Sequence, residues 1–455
     1  MKRTVNGDCF PTFRRIGGKL VRAAKWTGKA LVILVILLAV AHGIATFITG
    51  RKLESDIRAL KAKGELPSIT ELVGPKVPDA ENAALVYAEA FKLLPSPGTD
   101  REDYEQLSDF ADAEKRKADP GSWDKACAAI GAYDRALELA ERAASMERCR
   151  FPVKWEDGFA ALFPHYRSLR GLARLANARG LIAARDGKMD EAARFMGLSL
   201  RIARSVEGEP TLISVLVRAA IINMTCRNLR DAAPYVSLTE DQTARLSESL
   251  AEADLRPHYR LAMQGERDAG LLAFRELRDD PSAFGELTDV QIPLARLTVF
   301  AARPVLYADE RFYLGLMGKI IADAEKPIRD SGLKDLEGLH LLYRPVTSMI
   351  LPVVSGVKSR VYEALAETRV CRVGLELSAY ERRHGTYPDS LAGLGVSDPE
   401  MLEDPLSGKA LIYKRQGKGF VLYSVGKDMK DDGGKPLSDG RSGPSKGDIA
   451  WRVEK

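Results

Sequence analysis

Polar and apolar positions repeat with a helical period through most of this chain. From about Asp79 to Glu367 a buried stripe can be followed from one segment to the next, with few runs of strand-like alternation. Pro78-Asp79 opens a helix whose inner face carries Ala83, Tyr87, Ala90, Phe91 and Leu94. Ser122 stands where a helix cap belongs, ahead of Trp123, Cys127, Ile130, Tyr133, Leu137 and Ala140 on one stripe. Thr239 and Gln242 have the spacing of a capping box before Leu246 and Leu250. Asp, Gly and Pro clusters separate these segments at intervals typical of short helix–helix connections. The pattern predicts a mainly α fold, with a helical array over residues 79–352.

Ahead of the array the pattern changes. The run Ala30–Ile48 is apolar apart from His42, Gly43 and Thr46, and its nineteen residues match a hydrocarbon core of roughly 30 Å. The segments read as a basic tail (1–29), a transmembrane anchor (30–50) and a linker (51–78). Charge sharpens this reading. The chain carries a net +5, yet residues 1–50 alone hold +7, from eight Lys and Arg against Asp8. The remainder is close to −2, so its basic balance gives no support for a nucleic-acid-binding face on the body. Basic groups crowd the amino-terminal side of the apolar run, whereas Arg51 and Lys52 are soon followed by Glu54 and Asp56. The positive-inside rule then places the amino terminus in the cytoplasm, the span in the inner (cytoplasmic) membrane and the body in the periplasm. The competing reading is a cleaved signal peptide, with Ala39-Val40-Ala41 as a small-x-small cleavage site. Either reading exports the body.

Within the array, residues 172–205 form a helical hairpin pattern with Asp186-Gly187 at its turn. Gly180, Ala183, Gly187 and Ala192 fall at spacings that resemble a tetratricopeptide repeat, the small residues allowing two antiparallel helices to approach closely. One such unit stands against the roughly three that a solenoid needs, and a generic alanine-rich hairpin is the alternative. If the next helices, Leu212 to Leu229 and Thr239 to Ala253, continue the stack, the array offers a concave surface to another protein. Residues 255–345 are more mixed. Glu266, Arg267, Asp309, Glu310 and Arg311 there read either as a solvated helix face or as the lining of a cleft. Cys127, Cys149, Cys226 and Cys371 form neither a dense disulfide framework nor a zinc spacing. Cys127, Cys226 and Cys371 fall at apolar helical positions and read as small buried side chains.

The carboxy-terminal residues 353–455 predict a small α+β module. A long helix runs from about Gly356 to Arg383, ends at His384-Gly385, and turns through Thr386-Tyr387-Pro388. Asp404-Pro405-Leu406-Ser407-Gly408 leads into Leu411–Lys414, and Gly417-Lys418-Gly419 reverses the chain into Phe420–Ser424, a short antiparallel hairpin for the helix to cover. This order of helix, Tyr-Pro turn, Asp-Pro hairpin start and Gly-x-Asp loop resembles the globular domain of the major pseudopilins of type II secretion systems. The resemblance implies a calcium site in the final loop. Asp428 matches the first aspartate and Asp448 the last; Asp432 is taken as the middle ligand, with Asp431 and Asp439 as alternatives. Carbonyls of Leu422 or Val425 would help to supply the six to eight hard oxygens that calcium takes. The chain also departs from that family. It has no prepilin processing motif, and about three hundred residues separate the module from the membrane helix, which rules out a filament-subunit role. Between Asp428 and Asp448 five acids face four bases, a balance that lowers cation affinity, and a plain solvated loop is the alternative.

No G-x-S-x-G, P-loop, H-E-x-x-H or dinucleotide fingerprint occurs, and the five histidines are far apart in sequence. Two functional classes follow. One is an anchored extracytoplasmic interaction or scaffold protein working with other envelope proteins. The other is an exported hydrolase with a cleft in residues 255–345.

Overall fold

A computed structural model of the 455-residue chain describes residues 11–96, 101–235, 237–280, 295–331, 344–354, 356–435 and 447–454. The fold is mainly helical, with a small antiparallel sheet at its carboxy-terminal end. The first element, α1 (Pro11–Ala62), is a continuous helix of 52 residues. Its apolar stretch from Leu31 to Ile48 turns large side chains outward, and Lys25–Ala62 is long and apolar enough to cross a membrane. The helix continues past Gly50 and docks on the body by its last turns, where Leu53 is buried.

The body begins with α2 (Ile69–Val73), held by a capping box between Ser68 and Glu71. Then come α3 (Ala83–Phe91), α4 (Glu102–Phe110), α5 (Ala113–Ala118), α6 (Ser122–Ala129) and α7 (Asp134–Ala144). The predicted start at Pro78-Asp79 gives only a 3₁₀ turn; α3 is capped by Asn82, whose side chain accepts from Ala84 N at 3.1 Å. Ser122 likewise is not a cap. It is the first residue of α6, and its hydroxyl donates to the Arg116 carbonyl at 3.0 Å. Along the predicted stripe Ile130, Tyr133, Leu137 and Ala140 are buried, but Cys127 is exposed, because α6 ends at Ala129 and the following 3₁₀ turn shifts the buried face.

The hairpin over 172–205 forms from α8 (His165–Arg185) and α9 (Met189–Arg204). A Cβ on Gly180 would lie 2.9 Å from Met196 Cγ, so the absence of a side chain sets the closeness of the crossing. Gly187 turns the chain with φ +77°, a conformation that glycine adopts without steric cost. Next come α10 (Leu212–Ala232) and α11 (Glu240–Ala251), the latter entered through the predicted Thr239–Gln242 capping box. The apolar α10 is long enough to cross a membrane but is mostly buried inside the body. Between α8, α9 and α10 a polar knot joins Asn177, Ser199 and Thr225, with Asn177 Nδ2 donating to Ser199 Oγ at 2.7 Å.

Three further helices, α12 (Arg256–Asp279), α13 (Ala295–Asp323) and α14 (Pro345–Val354), lie on the side that receives α1. The last helix, α15 (Val357–His384), packs on α10 and α11 and on the sheet. Gly385 closes it in the left-handed conformation, φ 70°. The sheet has the order β1 (Ile412–Gln416), β2 (Gly419–Ser424), β3 (Ile449–Val453). The predicted hairpin is β1–β2, with Gln416 opposite Gly419, and β3 adds Trp451 opposite Leu422. One continuous core runs from Tyr87 through α8–α12 and α15 to Phe420 and Trp451.

Candidate functional site

The loop after β2 holds the predicted metal ligands. Asp448 is fully buried beside Ile449, the first residue of β3. Its backbone N donates to the Lys435 carbonyl at 2.8 Å, and its Oδ2 accepts from Gly434 N at 2.7 Å. Its Oδ1 is buried with no hydrogen-bond partner among the described residues, while the Asp432 backbone approaches the carboxylate. Burial, joined by the nearby charges of Asp432 and Asp431, raises the Asp448 pKa. Asp431 is oriented differently: its Oδ1 accepts from Tyr423 OH at 2.8 Å and Gly433 N at 2.9 Å, and these bonds lower its pKa. Asp432 is exposed. Asp428 accepts from Lys430 N at 3.2 Å. Asp439 lies outside the described residues.

The fold therefore brings Asp432 and Asp431 towards Asp448. Among the described residues no group of three His, Cys, Asp or Glu side chains is arranged to hold a metal ion. The orphaned Asp448 Oδ1 nevertheless fits a cation, because a buried carboxylate oxygen normally has a partner. Asp404, which the sequence marks only as the start of the turn into the hairpin, fixes the same end of the module. This buried carboxylate accepts from Leu406 N, Ser407 Oγ, Ser424 Oγ and Val425 N, tying the Asp-Pro turn to the end of β2. The Asp404-Pro405-Leu406-Ser407 run was the available signal, since such aspartates bond their own following turn.

The charged residues singled out in 255–345 have structural partners. Glu266, on α12, accepts from Leu212 N at 2.8 Å and so caps α10. Asp309, on α13, accepts from Val346 N at 2.9 Å and Thr347 Oγ1 at 2.6 Å at the start of α14. Burial raises the pKa of both carboxylates. Glu310 pairs with Arg278, and Arg267 donates to the Glu65 carbonyl at 2.5 Å. Arg311 pairs with Asp56 of α1 at 2.5 Å. A solvated helix face describes only Arg311. The other four are buried, because the helices on this side meet end to face and their carboxylates and guanidinium groups satisfy one another's exposed backbone.

Two histidines separated in sequence meet in the core. His165 Nε2 lies 3.0 Å from Glu209 Oε1, and Tyr166 OH donates to Glu209 Oε2 at 2.5 Å. His258 Nε2 lies 3.0 Å from both Ser214 Oγ and the Glu209 carbonyl. Burial, reinforced by the Arg218 charge, pushes the His258 pKa down to about 3. The Ser214 hydroxyl is fully buried within reach of the Glu209 and Thr211 carbonyls, and among the described residues His258 Nδ1 has no orienting carboxylate. The cluster fastens the 206–211 connection to α8 and α12 and lacks the base-orienting partner of a nucleophilic site.

A cavity of about 590 Å³ opens beside this connection. Trp155, Phe163, Ile213, Leu216, Leu272 and Met349 make its walls mostly apolar, and Arg275 is among its polar lining residues. Gly158 and Gly265 shape it. A Cβ on Gly158 would lie 2.9 Å from Leu272 Cδ2, and one on Gly265 would strike the Pro210 backbone. Its volume falls in the range of small-molecule sites. No local pattern in the sequence announces it, because its walls come from five separate stretches of chain. In comparison with known proteins, no family model matches this chain, nor does any curated protein or solved structure.

Proposed function

We propose that this chain is a single-pass protein of the cytoplasmic membrane, with a cytoplasmic amino terminus and an extracytoplasmic, periplasmic body. In this reading it acts as a non-catalytic interaction or scaffold protein among other envelope proteins. The observation that carries the proposal is the continuity of α1. The same helix that turns Leu31–Ile48 outward docks on the body, with His42 Nε2 2.9 Å from the Phe300 carbonyl and Asp56 paired to Arg311. A cut after Ala41 would remove most of the exposed apolar stretch and start the mature chain inside this docked helix, so the packing favours an uncleaved anchor.

In this reading the carboxy-terminal module is a pseudopilin-like domain carried at the far end of the body. It binds calcium through Asp448 and Asp432 with Asp428, and the unpaired Asp448 Oδ1 is the supporting feature. Calcium would cross-link the loop after β2 to the start of β3. The helical array serves as the docking surface for other envelope proteins. Glu266, Asp309 and Glu310, the charged groups behind the hydrolase alternative, each have a capping or ion-pair role.

Crosslinking of the membrane-embedded protein followed by gentle solubilisation and co-purification tests the scaffold role. Stable envelope partners are expected; recovery of free monomer alone would count against it.

A further inference from the structure

We propose that the apolar cavity takes one acyl chain of a membrane phospholipid, with Arg275 facing the lipid phosphate. The inference rests on the membrane-anchor reading above and adds a ligand to it.

The position of the cavity carries the argument. Tyr307 packs against Gly50, immediately beyond the apolar stretch of α1, and thereby marks the membrane edge on α13. Arg278 of α12 lies over the Tyr307 ring, 5.2 Å from its centroid, at the same level. The α12 residues that line the cavity run back from there: Arg275, Leu272 and Ala269. At about 1.5 Å per residue, Leu272 lies about 9 Å along the helix from Arg278. One leaflet of a roughly 30 Å hydrocarbon core is about 15 Å deep, so a chain turned out of the bilayer can span that gap.

Charge and surface fit the same occupant. Arg275 is exposed and lies between the membrane edge and the apolar wall, where a phosphate would follow its chain; of the acids that also line the cavity, Glu156, Glu266 and Asp268, Glu266 is engaged by Leu212 N and Asp268 by Ile69 N. Apolar side chains are exposed both beside the anchor and at the cavity. Leu297 and Phe300 of α13 are exposed beside His42, whereas Ile213, Phe159 and Met349 are exposed at the cavity itself. α12 and α14, which supply much of the wall, both pack on α13. Hydrocarbon burial favours filling such a space with each added CH₂ group.

Trp155 lines the cavity and reports its occupancy. The full chain, carrying Trp26→Phe to remove the tryptophan nearest the bilayer, is placed in nanodiscs of phospholipid with brominated acyl chains. Emission from Trp155 is taken as the difference from the same chain with Trp155→Phe. Quenching is expected, with its loss in Ala269→Phe, which puts a ring into the cavity from its wall. Leu272→Gln, which makes the wall polar, provides the second test if the filled variant does not fold, and should also lose the quenching. Arg275→Gln should raise the fraction of brominated lipid needed for half-quenching. Unquenched Trp155 in well-formed nanodiscs overturns this proposal alone. Quenching that survives both wall variants overturns it too, since it then reports surface contact. A chain that does not co-elute with nanodiscs overturns both this proposal and the anchor reading.

Discussion

Gly374→Ala is a severe test of how α15 and the sheet share a core. Gly374 lies inside α15, where alanine is intrinsically preferred by about 1 kcal/mol. A Cβ there would lie 2.6 Å from Trp451 Cδ2 and 2.7 Å from Cζ3, against the 3.5–4.0 Å of an ordinary carbon contact. The ring cannot step aside freely. Trp451 is only 2% exposed and is held opposite Leu422 in the β2–β3 ladder. Among the described residues its indole N–H has no hydrogen-bond partner, so packing holds its position. Overpacking costs about 1–3 kcal/mol, and an approach this close to a fixed ring belongs in the upper part of that range, about 2–3 kcal/mol, so after the helix preference a net loss of about 1–2 kcal/mol remains. Urea denaturation of the full chain in detergent, followed by far-UV circular dichroism, reads the change. Gly318→Ala in α13 is the control, since a Cβ there meets nothing within 4 Å and should stabilise by up to about 1 kcal/mol. Combining Gly374→Ala with Trp451→Leu should recover part of the loss, because the two changes share one space. A Gly374→Ala chain as stable as the unaltered protein would refute the packing argument.

Three further predictions follow from other parts of the chain. Calcium at 100 times its dissociation constant should stabilise the protein by about 2.7 kcal/mol; Asp428→Ala with Asp448→Ala should abolish the shift in thermal unfolding, and an unaltered protein indifferent to calcium would contradict the site. His258 has a folded pKa of about 3 against an ordinary 6.5, so its stabilising contribution is present above pH 6.5 and drains away as pH falls towards 3. The loss is about 4–5 kcal/mol at about 1.4 kcal/mol per pH unit; stability of His258→Gln, titrated beside the parent, should fall less over that window. Asp309→Ala should cost about 1–3 kcal/mol by leaving the Val346 and Thr347 donors at the start of α14 unpaired, whereas Asp309→Asn, which keeps an acceptor, should cost less in the same urea titration.

Much of the helical framework was legible because its determinants are local. The Thr239–Gln242 box, the Gly187 turn, the Gly385 terminus and the Gly417–Gly419 reversal each act within a few residues. Features made by distant partners were not legible. β3 pairs with β2 across a loop of more than twenty residues, and no short-range pattern announces that register. Glu266 and Arg267 look like surface charges until Leu212 N and the Glu65 carbonyl arrive from elsewhere in the chain. Their apolar neighbours Ala262, Met263 and Leu271 were the available hint that this part of α12 is enclosed. The Ser214–His258 contact and the cavity walls are assembled in the same way, by tertiary packing alone. Within the candidate metal loop, sequence identified Asp448 but not that one of its oxygens is left buried and unpaired.

The central claim, an uncleaved anchor with the body outside the cytoplasm, is tested most directly by intact-mass analysis of the membrane-extracted chain after protease treatment of spheroplasts. The expected result is a membrane-bound chain that retains the residues ahead of Ala30 before treatment, and loss of the body to external protease while that tail survives. A mature chain beginning at His42, or a body digested only after the cells are lysed, would contradict it.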